Sequence, residues 1–266
     1  MRARKRFGQN FLIDNYVIEN IIRALQLKAQ DRIIEIGPGR GALTKPLFDA
    51  VQHLEVIELD RDLATALHTS FGKSLTIYTE DALSFDFKKL VQDESSLKKL
   101  KIVGNLPYNI STPLIFHLLS FADSIESMHF MLQKEVVDRL IAGPNHRDYG
   151  RLSIMVQYYC KTEWLFQVPP SAFYPAPKVE SAFVRLIPHP SLPFPARNLL
   201  LLQDIVRIAF NQRRKTLSNA LKVYLSSDDF ATLQLNPKSR PENLSVEDYV
   251  KISNFINAGL NRPKTV

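Results

Sequence analysis

Hydrophobic positions in the first two thirds of the chain follow two alternating spacings. Short runs rich in branched apolar residues predict seven strands, at residues 32–36, 54–58, 75–78, 101–104, 129–132, 163–168 and 181–187. Apolar residues at helical spacing predict helices at about 14–27, 41–50, 61–70, 112–121 and 134–141. Strands that alternate with helices are typical of a parallel sheet covered on both faces. We therefore expect an α/β fold with a seven-stranded, mostly parallel sheet.

The pattern changes beyond residue 189. A proline-rich stretch over residues 188–195 has no helical period and indicates a linker. Helical spacing then returns at about 198–211, 215–225, 228–233 and 245–258, with no strand predicted among them. We predict two domains: an α/β domain over residues 1–189 and a small all-α domain over residues 190–266.

Composition is that of an ordinary globular protein and excludes several classes. Of the 266 residues 45% are hydrophobic, which is enough apolar surface for a core. The single cysteine, Cys160, excludes an intrachain disulfide and fits a reducing compartment, and the six histidines have no metal-ligand spacing, so no metal is expected. No apolar run approaches the ~20 residues of a membrane helix, and the N-terminus lacks the apolar core of a secretory signal. We expect a cytoplasmic protein with no membrane partner, and a monomer, since no pattern indicates a dimer.

Positive charge is concentrated at the two ends of the chain. The net charge is +7, with +4 in residues 1–13, −2 in residues 14–189 and +5 in residues 190–266. A nearly neutral body with basic ends favours contact with a polyanion through those ends. Charge alone leaves open the alternative of a solvated basic surface with no nucleic-acid partner.

A glycine-rich turn follows the first predicted strand. Residues 37–41 read Gly-Pro-Gly-Arg-Gly and precede a predicted helix. Glycines allow a sharp turn and a close approach to a ligand, and the helix offers free N–H groups. Glu58, at the end of the next strand, is placed to accept hydrogen bonds from the ribose hydroxyls of a nucleoside. The same spacing fits the loose dinucleotide pattern of NAD-binding proteins, so two classes of ligand stay open at this point.

Three details favour S-adenosylmethionine (SAM) over NAD. Pro38 removes a backbone donor that a pyrophosphate would use. Glu35 lies just before the turn and suits a cationic ligand. Asp81 follows the third strand, where its carboxylate can accept from an adenine amino group, although a turn-forming role is the simpler alternative. SAM has an adenine, a ribose, a sulfonium and an ammonium but no phosphate, so it matches this set better.

The fourth predicted strand ends in a second motif, Asn105-Leu106-Pro107-Tyr108. It lies at the carboxyl edge of the predicted sheet, where open α/β folds bind ligands. Asn105 offers a side-chain carbonyl, Pro107 a free backbone carbonyl and Tyr108 an aromatic face. Two acceptors beside a ring predict a pocket for the exocyclic amine of a base, whereas the alternative is a plain turn.

Together these motifs resemble a known family. The 105–108 motif resembles the Asn/Asp-Pro-Pro-Tyr motif of amino-group methyltransferases, and its Asn-Leu-Pro-Tyr form, followed by Asn-Ile-Ser, resembles the rRNA adenine N6-dimethyltransferases. Segments 7–12, 35–41, 58–60, 81–82, 133–136 and 168–173 occur in the family's order. The run Phe-Asn-Gln-Arg-Arg-Lys-Thr at 210–216 is similar to the helical-domain signature of the bacterial small-subunit members. The resemblance covers essentially the whole chain and implies a Rossmann-like SAM-dependent methyltransferase fold.

The resemblance also implies the site residues. SAM would be bound by residues matching Asn10, Leu12, Gly37, Gly39, Glu58, Asp81 and Asn105. The target adenine would lie between Tyr108 and Phe173, with N6 bonded to Asn105 and to the Pro107 carbonyl. Phe173 lies in a proline-rich loop, and the alternative is that it packs this loop down. RNA would be contacted by Arg4, Lys5, Arg6, Arg213, Arg214 and Lys215.

The implied activity is dimethylation of N6 on two adjacent adenosines in a hairpin loop near the 3′ end of 16S rRNA. The partner would be an assembling small (30S) ribosomal subunit, and the base must be unpaired or flipped out, because N6 of a stacked adenine cannot reach a pocket at the sheet edge. Other functions stay open. They are methylation of 23S rRNA of the macrolide-resistance type, a mainly RNA-binding role in assembly, and NAD-dependent oxidoreduction, for which no hydride-transfer residues are found.

Overall fold

A computed structural model describes residues 9–90 and 98–260, and the chain divides into two compact units. The first unit comprises Met1–Val137 and Lys161–Pro188, and the second comprises Asp138–Cys160 and His189–Val266. The second unit thus includes residues 138–160 in addition to the C-terminal stretch that the sequence pattern assigns to the helical domain.

The first unit is built on a seven-stranded sheet and a separate two-stranded ladder. The strands of the described residues are β1 (Phe11–Leu12), β2 (Arg32–Ile36), β3 (His53–Ile57), β4 (Thr76–Tyr78), β5 (Leu100–Asn105), β6 (Ile125–Gln133), β7 (Cys160–Val168), β8 (Phe173–Tyr174) and β9 (Ser181–Pro188). The order in the large sheet is β4-β3-β2-β5-β6-β9-β7, and β1 pairs with β8. Strands β2 to β6 are mutually parallel, whereas β9 is antiparallel to β6. The predicted α/β fold with a seven-stranded, mostly parallel sheet is confirmed.

The helices lie between the strands in the first unit and fill the second. Their bounds are α1 (Asn15–Leu25), α2 (Thr44–Ala50), α3 (Arg61–Phe71), α4 (Ser111–Leu119), α5 (Lys134–Ile141), α6 (Arg151–Tyr159), α7 (Leu199–Asn211), α8 (Leu217–Ala220), α9 (Ser227–Thr232) and α10 (Val246–Leu260). Asp14 begins α1 by accepting from the N–H groups of Tyr16 and Val17. The helix predicted at 215–225 is shorter than expected, since only α8 forms there.

Helix α6 is absent from the sequence-based prediction. Its buried residues include the four consecutive positions 153–156, so the helix has no one-sided apolar stripe. A helix that is buried on more than one side lacks the 3.6-residue period on which the prediction depends.

The sheet positions a cleft at the carboxyl ends of its central strands. Strand β2 pairs with β3 on one side and with β5 on the other, so the chain winds in opposite directions from this point. At such a switch point the connections that follow the two strands diverge and leave a crevice. Gly104 keeps β2 and β5 close there, because a Cβ at this position would lie 2.6 Å from the carbonyl oxygen of Ile36.

The second unit packs helices around buried aromatic residues. Helix α7 packs on α6, α8 and α10. Tyr149 and Tyr249 are fully buried, and the ring of Phe210 lies against both of them. The loop before α6 is fixed by hydrogen bonds from the Asn145 backbone N–H to the Glu242 carbonyl (2.8 Å) and from the Asn243 side chain to that of Asn145 (2.8 Å).

Candidate active site

A cleft of about 280 Å³ opens at the switch point in the first unit. Its walls come from the segment around β1 and from the turns after β2, β3, β4 and β5, namely residues 9–12, 35–40, 42–43, 57–60, 80–83 and 105–110. The structure therefore brings to one cleft all of the residues expected to bind SAM, which are Asn10, Leu12, Gly37, Gly39, Glu58, Asp81 and Asn105. Pro107 and Tyr108 line the same cleft.

The glycine turn has a conformation that favours glycine. Gly39 has a φ of +59°, and a Cβ there would lie 3.2 Å from the ring of Phe11. Its backbone N–H donates to Oε2 of Glu58 over 3.1 Å. The turn after β2 and the end of β3 are thus joined by a hydrogen bond that requires the backbone to come close.

Glu58 is held in place by backbone donors. Its Oε1 accepts from the N–H of Asp60 over 2.8 Å, in addition to the bond from Gly39. Burial raises the pKa of Glu58, and hydrogen bonds from the backbone of Asp60, Gly39 and Leu59 oppose that shift. A carboxylate has about four acceptor positions, so this side chain can still accept from a ribose hydroxyl.

Glu35 is a second buried carboxyl beside the cleft. It is 2% exposed, and its Oε2 accepts from the hydroxyl of Thr44 over 2.7 Å. Burial raises the pKa of Glu35 to about 8, opposed by the Thr44 hydroxyl and assisted by the negative charge of Glu58. A bound cation favours the ionised form of a buried carboxyl, so these two acids fit the sulfonium and ammonium of SAM.

Asp81 forms a turn and also lines the cleft. Its Oδ1 accepts from the N–H of Leu83 over 2.9 Å, and its carbonyl accepts from the N–H of Ser84 over 3.0 Å. These bonds are those of a turn. The side chain also lines the cleft, and its second oxygen can accept from an adenine amino group.

Asn105 is oriented by a bond to the N-terminal segment. Its Nδ2 donates to the carbonyl oxygen of Asn10 over 2.9 Å. Because the amide nitrogen is directed to that carbonyl, Oδ1 is the acceptor that the side chain presents elsewhere. The bond joins two segments of the cleft that are 95 residues apart in sequence.

The turn after β5 differs from the prediction in one respect. The Pro107 carbonyl is not free, since it accepts from the N–H of Ile110 over 3.2 Å. A carbonyl has two lone pairs, so one acceptor position is left. The hydroxyl of Tyr108 lies 2.8 Å from Oγ of Ser181, which fixes the ring, and burial raises the pKa of this tyrosine.

Phe173 is packed in the structure rather than presented to the cleft. It is 3% exposed and belongs to the hydrophobic core cluster. It pairs with Leu12 in the β1–β8 ladder, and it is not one of the cleft-lining residues in the ranges that the structure describes. In the structure Phe173 therefore has the packed position that the sequence left open as the alternative to base stacking.

The predicted RNA-binding residues fall into three groups. Arg4, Lys5 and Arg6 lie outside the described residues. Arg213 donates through Nε to Oε2 of Glu242 over 2.6 Å and also donates to the carbonyl of Arg147. Arg214 and Lys215 are exposed. Of these cations, Arg213 is thus already neutralised by a carboxylate.

Three residues of the site have no signal in the sequence. Ser181 reaches Tyr108 only because β9 pairs beside β6, and Thr44 reaches Glu35 only through the fold of the glycine turn. The sequence motifs give Arg40 no role, yet its guanidinium lies 4.4 Å from the centroid of the Phe11 ring at the cleft. Serine, threonine and arginine are common surface residues, so composition does not distinguish these positions.

Three further features of the described residues bear on the sequence-based expectations. Cys160 is buried, and burial raises the pKa of its thiol to about 12. Within residues 9–90 and 98–260, no group of three or more histidine, cysteine, aspartate or glutamate side chains could hold a metal ion. Over the same ranges, no helix is long and apolar enough to cross a membrane.

The seven-stranded sheet, the acid-walled nucleoside cleft and the oriented Asn-Leu-Pro-Tyr turn define a SAM-dependent methyltransferase of amino groups. The family comparison gives the particular kind: the model of the ribosomal RNA adenine dimethylase family matches residues 1–258, and the chain belongs to that family. The predicted family, enzyme class and cofactor SAM are confirmed, and an NAD oxidoreductase is excluded.

Similar proteins agree with this assignment. A protein of Marinomonas sp. is 54% identical over 257 residues, which are 96% of each chain, and one of Marinobacter nauticus is 55% identical over 96% of this chain and 92% of its own. Both are named ribosomal RNA small subunit methyltransferase A. A dimethyladenosine transferase from Plasmodium falciparum is similar in structure, with a TM-score of 0.80, 27% identity and coverage of 93% and 98% of the two chains. The 23S rRNA methyltransferase ErmE, at 21% identity and a TM-score of 0.72 over 93% and 100%, shares the fold.

Proposed function

We propose that this chain dimethylates N6 of two adjacent adenosines in a hairpin loop near the 3′ end of 16S rRNA. The partner is the small (30S) ribosomal subunit, in the cytoplasm, and the modification belongs to ribosome biogenesis. The names of the Marinomonas and Marinobacter relatives support the choice of subunit. The observation that carries the chemistry is the bond from the Asn105 amide nitrogen to the Asn10 carbonyl, which leaves the amide oxygen of Asn105 to accept from the substrate.

The cleft residues bind the cofactor by charge and by hydrogen bonding. When bound, SAM supplies a methyl group on a cationic sulfonium. Glu58 accepts from the ribose hydroxyls and Asp81 from the adenine amino group, while Glu35 stabilises the cationic end. Gly37 and Gly39 let the backbone approach the cofactor, and Asn10 and Leu12 cover it from the N-terminal segment.

The turn after β5 binds the target base. The N6 lone pair is delocalised into the adenine ring, so this amine is a poor nucleophile. The Asn105 amide oxygen and the remaining lone pair of the Pro107 carbonyl accept from the two N6 hydrogens, which favours a tetrahedral nitrogen and localises the lone pair. Correct orientation of the reactants contributes up to ~7–11 kcal/mol to lowering the barrier.

Tyr108 provides the stacking surface for this base. Its ring is fixed by the Ser181 bond, and its face stabilises the positive charge that develops on N6 by about 0.5–2 kcal/mol. Asn105 need not be a strong base, because the N6 proton becomes acidic once the methyl group has been added. Phe173 is buried beside Leu12, so we assign it to holding the wall of the base pocket rather than to open stacking.

The basic ends of the chain bind the rRNA. Arg214 and Lys215 are exposed and available to phosphates, whereas Arg213 holds the turn that carries them. The N-terminal residues Arg4, Lys5 and Arg6 lead directly into the segment that covers the cofactor, so RNA contact and cofactor closure are adjacent in sequence. The protein acts as a monomer with an α/β catalytic domain and a helical RNA-docking domain, and the second domain contains residues 138–160 in addition to the predicted 190–266.

The decisive experiment is methyl transfer from radiolabelled SAM to small subunits that lack the modification. Label should appear in 16S rRNA as dimethyladenosine at two adjacent positions, located by primer extension. Isolated 23S rRNA is the control substrate and should stay unlabelled. Labelling of 23S rRNA in preference to small subunits would overturn the assignment, and binding to subunits without transfer would indicate an assembly factor only.

A further inference from the structure

The β1–β8 ladder presents one exposed aromatic residue, Tyr174. The pairs in this antiparallel ladder are Phe11 with Tyr174 and Leu12 with Phe173. Residues directly opposite each other in a ladder share a face, and successive residues alternate between faces. Since Leu12 and Phe173 join the core cluster, Phe11 and Tyr174 share the opposite face. Tyr174 is 61% exposed there.

This face adjoins the cofactor cleft and carries a cation. Phe11 lines the cleft, and the exposed Arg40 places its guanidinium 4.4 Å from the centroid of the Phe11 ring. Arg40 and Tyr174 are both neighbours of Phe11, which is itself buried, and the three residues are here called the entrance strip. It combines a guanidinium with an exposed ring.

The entrance strip is tied to the base pocket through the loop that follows β8. One end of that loop begins at Tyr174, which the ladder fixes next to Phe11. The other end reaches Ser181, whose hydroxyl lies 2.8 Å from that of Tyr108. The exposed ring of Tyr174 and the proposed stacking ring of Tyr108 are thus anchored at the two ends of one short loop.

We propose that the entrance strip binds the nucleotide next to the target adenosine on the same RNA strand. The base of that nucleotide stacks on Tyr174, and its phosphate pairs with Arg40. The ring and the guanidinium supply the two contacts that proteins use for unpaired nucleotides, stacking and phosphate binding. This inference rests on the proposed function, because it takes an unpaired adenosine in RNA as the substrate.

The arrangement gives each of two adjacent bases a ring on which to stack. With one base at Tyr108, its neighbour loses a stacking partner, and Tyr174 offers it a new surface. A stacked base of this kind strengthens binding about fivefold to a hundredfold, as judged by alanine substitution. The contribution belongs to RNA binding and not to cofactor binding.

The test uses the full chain and a synthetic RNA hairpin with two adjacent adenosines in its loop. Tyr174→Phe keeps the ring and is the matched control, Tyr174→Leu keeps apolar bulk without the ring, and Tyr174→Ala removes both. We expect the alanine and leucine variants to weaken RNA binding about tenfold, the phenylalanine variant to match the parent protein, and SAM affinity by calorimetry to stay unchanged in all three. Equal RNA binding by the alanine variant and the parent protein would overturn the proposal.

A second arm identifies the base that Tyr174 contacts. One hairpin carries an abasic site at the nucleotide next to the methylated adenosine. Tyr174→Ala should weaken binding to the intact hairpin but have no further effect on the abasic one. A tenfold loss on both hairpins would show that the ring contacts something else, and the proposal would be wrong. If the parent protein methylates neither this hairpin nor small subunits, the proposed function itself fails, which is a different result.

The phosphate contact has its own readout. Arg40→Gln should weaken hairpin binding and reduce the slope of log affinity against log salt by about one. Tyr174→Leu should leave that slope unchanged, because it removes no charge. A slope that is the same for Arg40→Gln and the parent protein would remove Arg40 from the entrance strip and overturn its half of the proposal.

Discussion

At the scale of single residues, the cleft is defined by carboxyls that the protein buries. Glu35 and Glu58 are 2% and 6% exposed, and burial raises the pKa of both. Glu35 accepts from the Thr44 hydroxyl, and Glu58 accepts from the backbone N–H groups of Gly39 and Asp60. These donors are neutral, so the charge that either carboxyl gains on ionisation is left for a cationic ligand to balance.

The first prediction concerns pH and SAM affinity. Burial raises the pKa of Glu35 from 4.5 to about 8, so the empty protein keeps this proton at neutral pH. A bound cation favours the ionised form, and SAM affinity should therefore rise with pH, by up to about tenfold per unit, until it levels off above about 8. Calorimetry across this range measures it, and Glu35→Gln should give a flat profile with weaker binding. A parent profile that is flat would contradict the assignment.

The raised pKa of Glu35 also predicts how the stability of the folded protein depends on pH. This raised pKa means that the stabilising contribution of the protonated carboxyl is complete below about 4.5 and is lost as the pH rises through about 8. Glu35→Gln keeps an acceptor for Thr44 and cannot ionise, so the unliganded variant should gain melting temperature relative to the parent protein at pH 8 and not at pH 4.5. Thermal unfolding at the two pH values tests this, and an equal difference at both would contradict it.

The third residue-scale prediction concerns Asn105. Asn105→Ala removes an acceptor for N6 and the bond to Asn10, so methyl transfer should fall about a hundredfold or more. The side chain is only partly buried, so the stability should change by about 1 kcal/mol or less. Single-turnover transfer with saturating SAM and urea unfolding are the two measurements. Near-normal turnover would refute the proposed role.

At the scale of elements, the site depends on how closely β2 and β5 approach. A Cβ at Gly104 would lie 2.6 Å from the Ile36 carbonyl and 2.9 Å from the Leu106 side chain, so these strands tolerate no side chain between them. The glycine turn follows β2 and the Asn-Leu-Pro-Tyr turn follows β5, so a shift of either strand moves one half of the cleft relative to the other.

Gly104→Ala should therefore lower the free energy of unfolding by about 1–3 kcal/mol and weaken SAM binding. Gly143→Ala is the matched control, since a Cβ there meets nothing within 4 Å and should have little effect. Urea unfolding compares the two variants. Equal stability of Gly104→Ala and the parent protein would show that the strands can separate without strain.

At the scale of the whole molecule, positive charge is unevenly distributed along the chain. The net charge of +7 is carried by the two ends of the chain, and the nearly neutral middle contains the acid-walled cleft. In the C-terminal end the basic run at 213–215 is not uniform. Arg213 is bound to Glu242 and to the Arg147 carbonyl, whereas Arg214 and Lys215 are exposed.

We therefore expect the three cations to behave differently. Arg214→Ala with Lys215→Ala should weaken binding to small subunits and reduce its salt slope by about two, with unchanged stability. Arg213→Ala should lower the stability by about 1 kcal/mol, because a partly exposed pair and a bond to a carbonyl are lost. Salt titrations and thermal unfolding separate these effects. A salt slope that falls only for Arg213→Ala would reverse the assignment.

The sequence by itself determined the α/β order, the glycine turn, the Asn-Leu-Pro-Tyr turn and the family. These features depend on local periodicity and on short motifs. In a parallel sheet the carboxyl ends of the strands also meet at one edge, independently of the conformation of the connecting loops. For this reason the order of the strands is enough to assign Glu58, Asp81 and Asn105 to one cleft.

Only the tertiary structure decided which distant residues meet. The placement of β9 beside β6 brings Ser181 to Tyr108, and the β1–β8 ladder buries Phe173 and exposes Tyr174. Arg213 has a structural role because the fold places Glu242, which is 29 residues further along the chain, next to it. Such contacts depend on pairing and packing between segments far apart in the chain, and the hydrophobic period of each segment does not specify its partner.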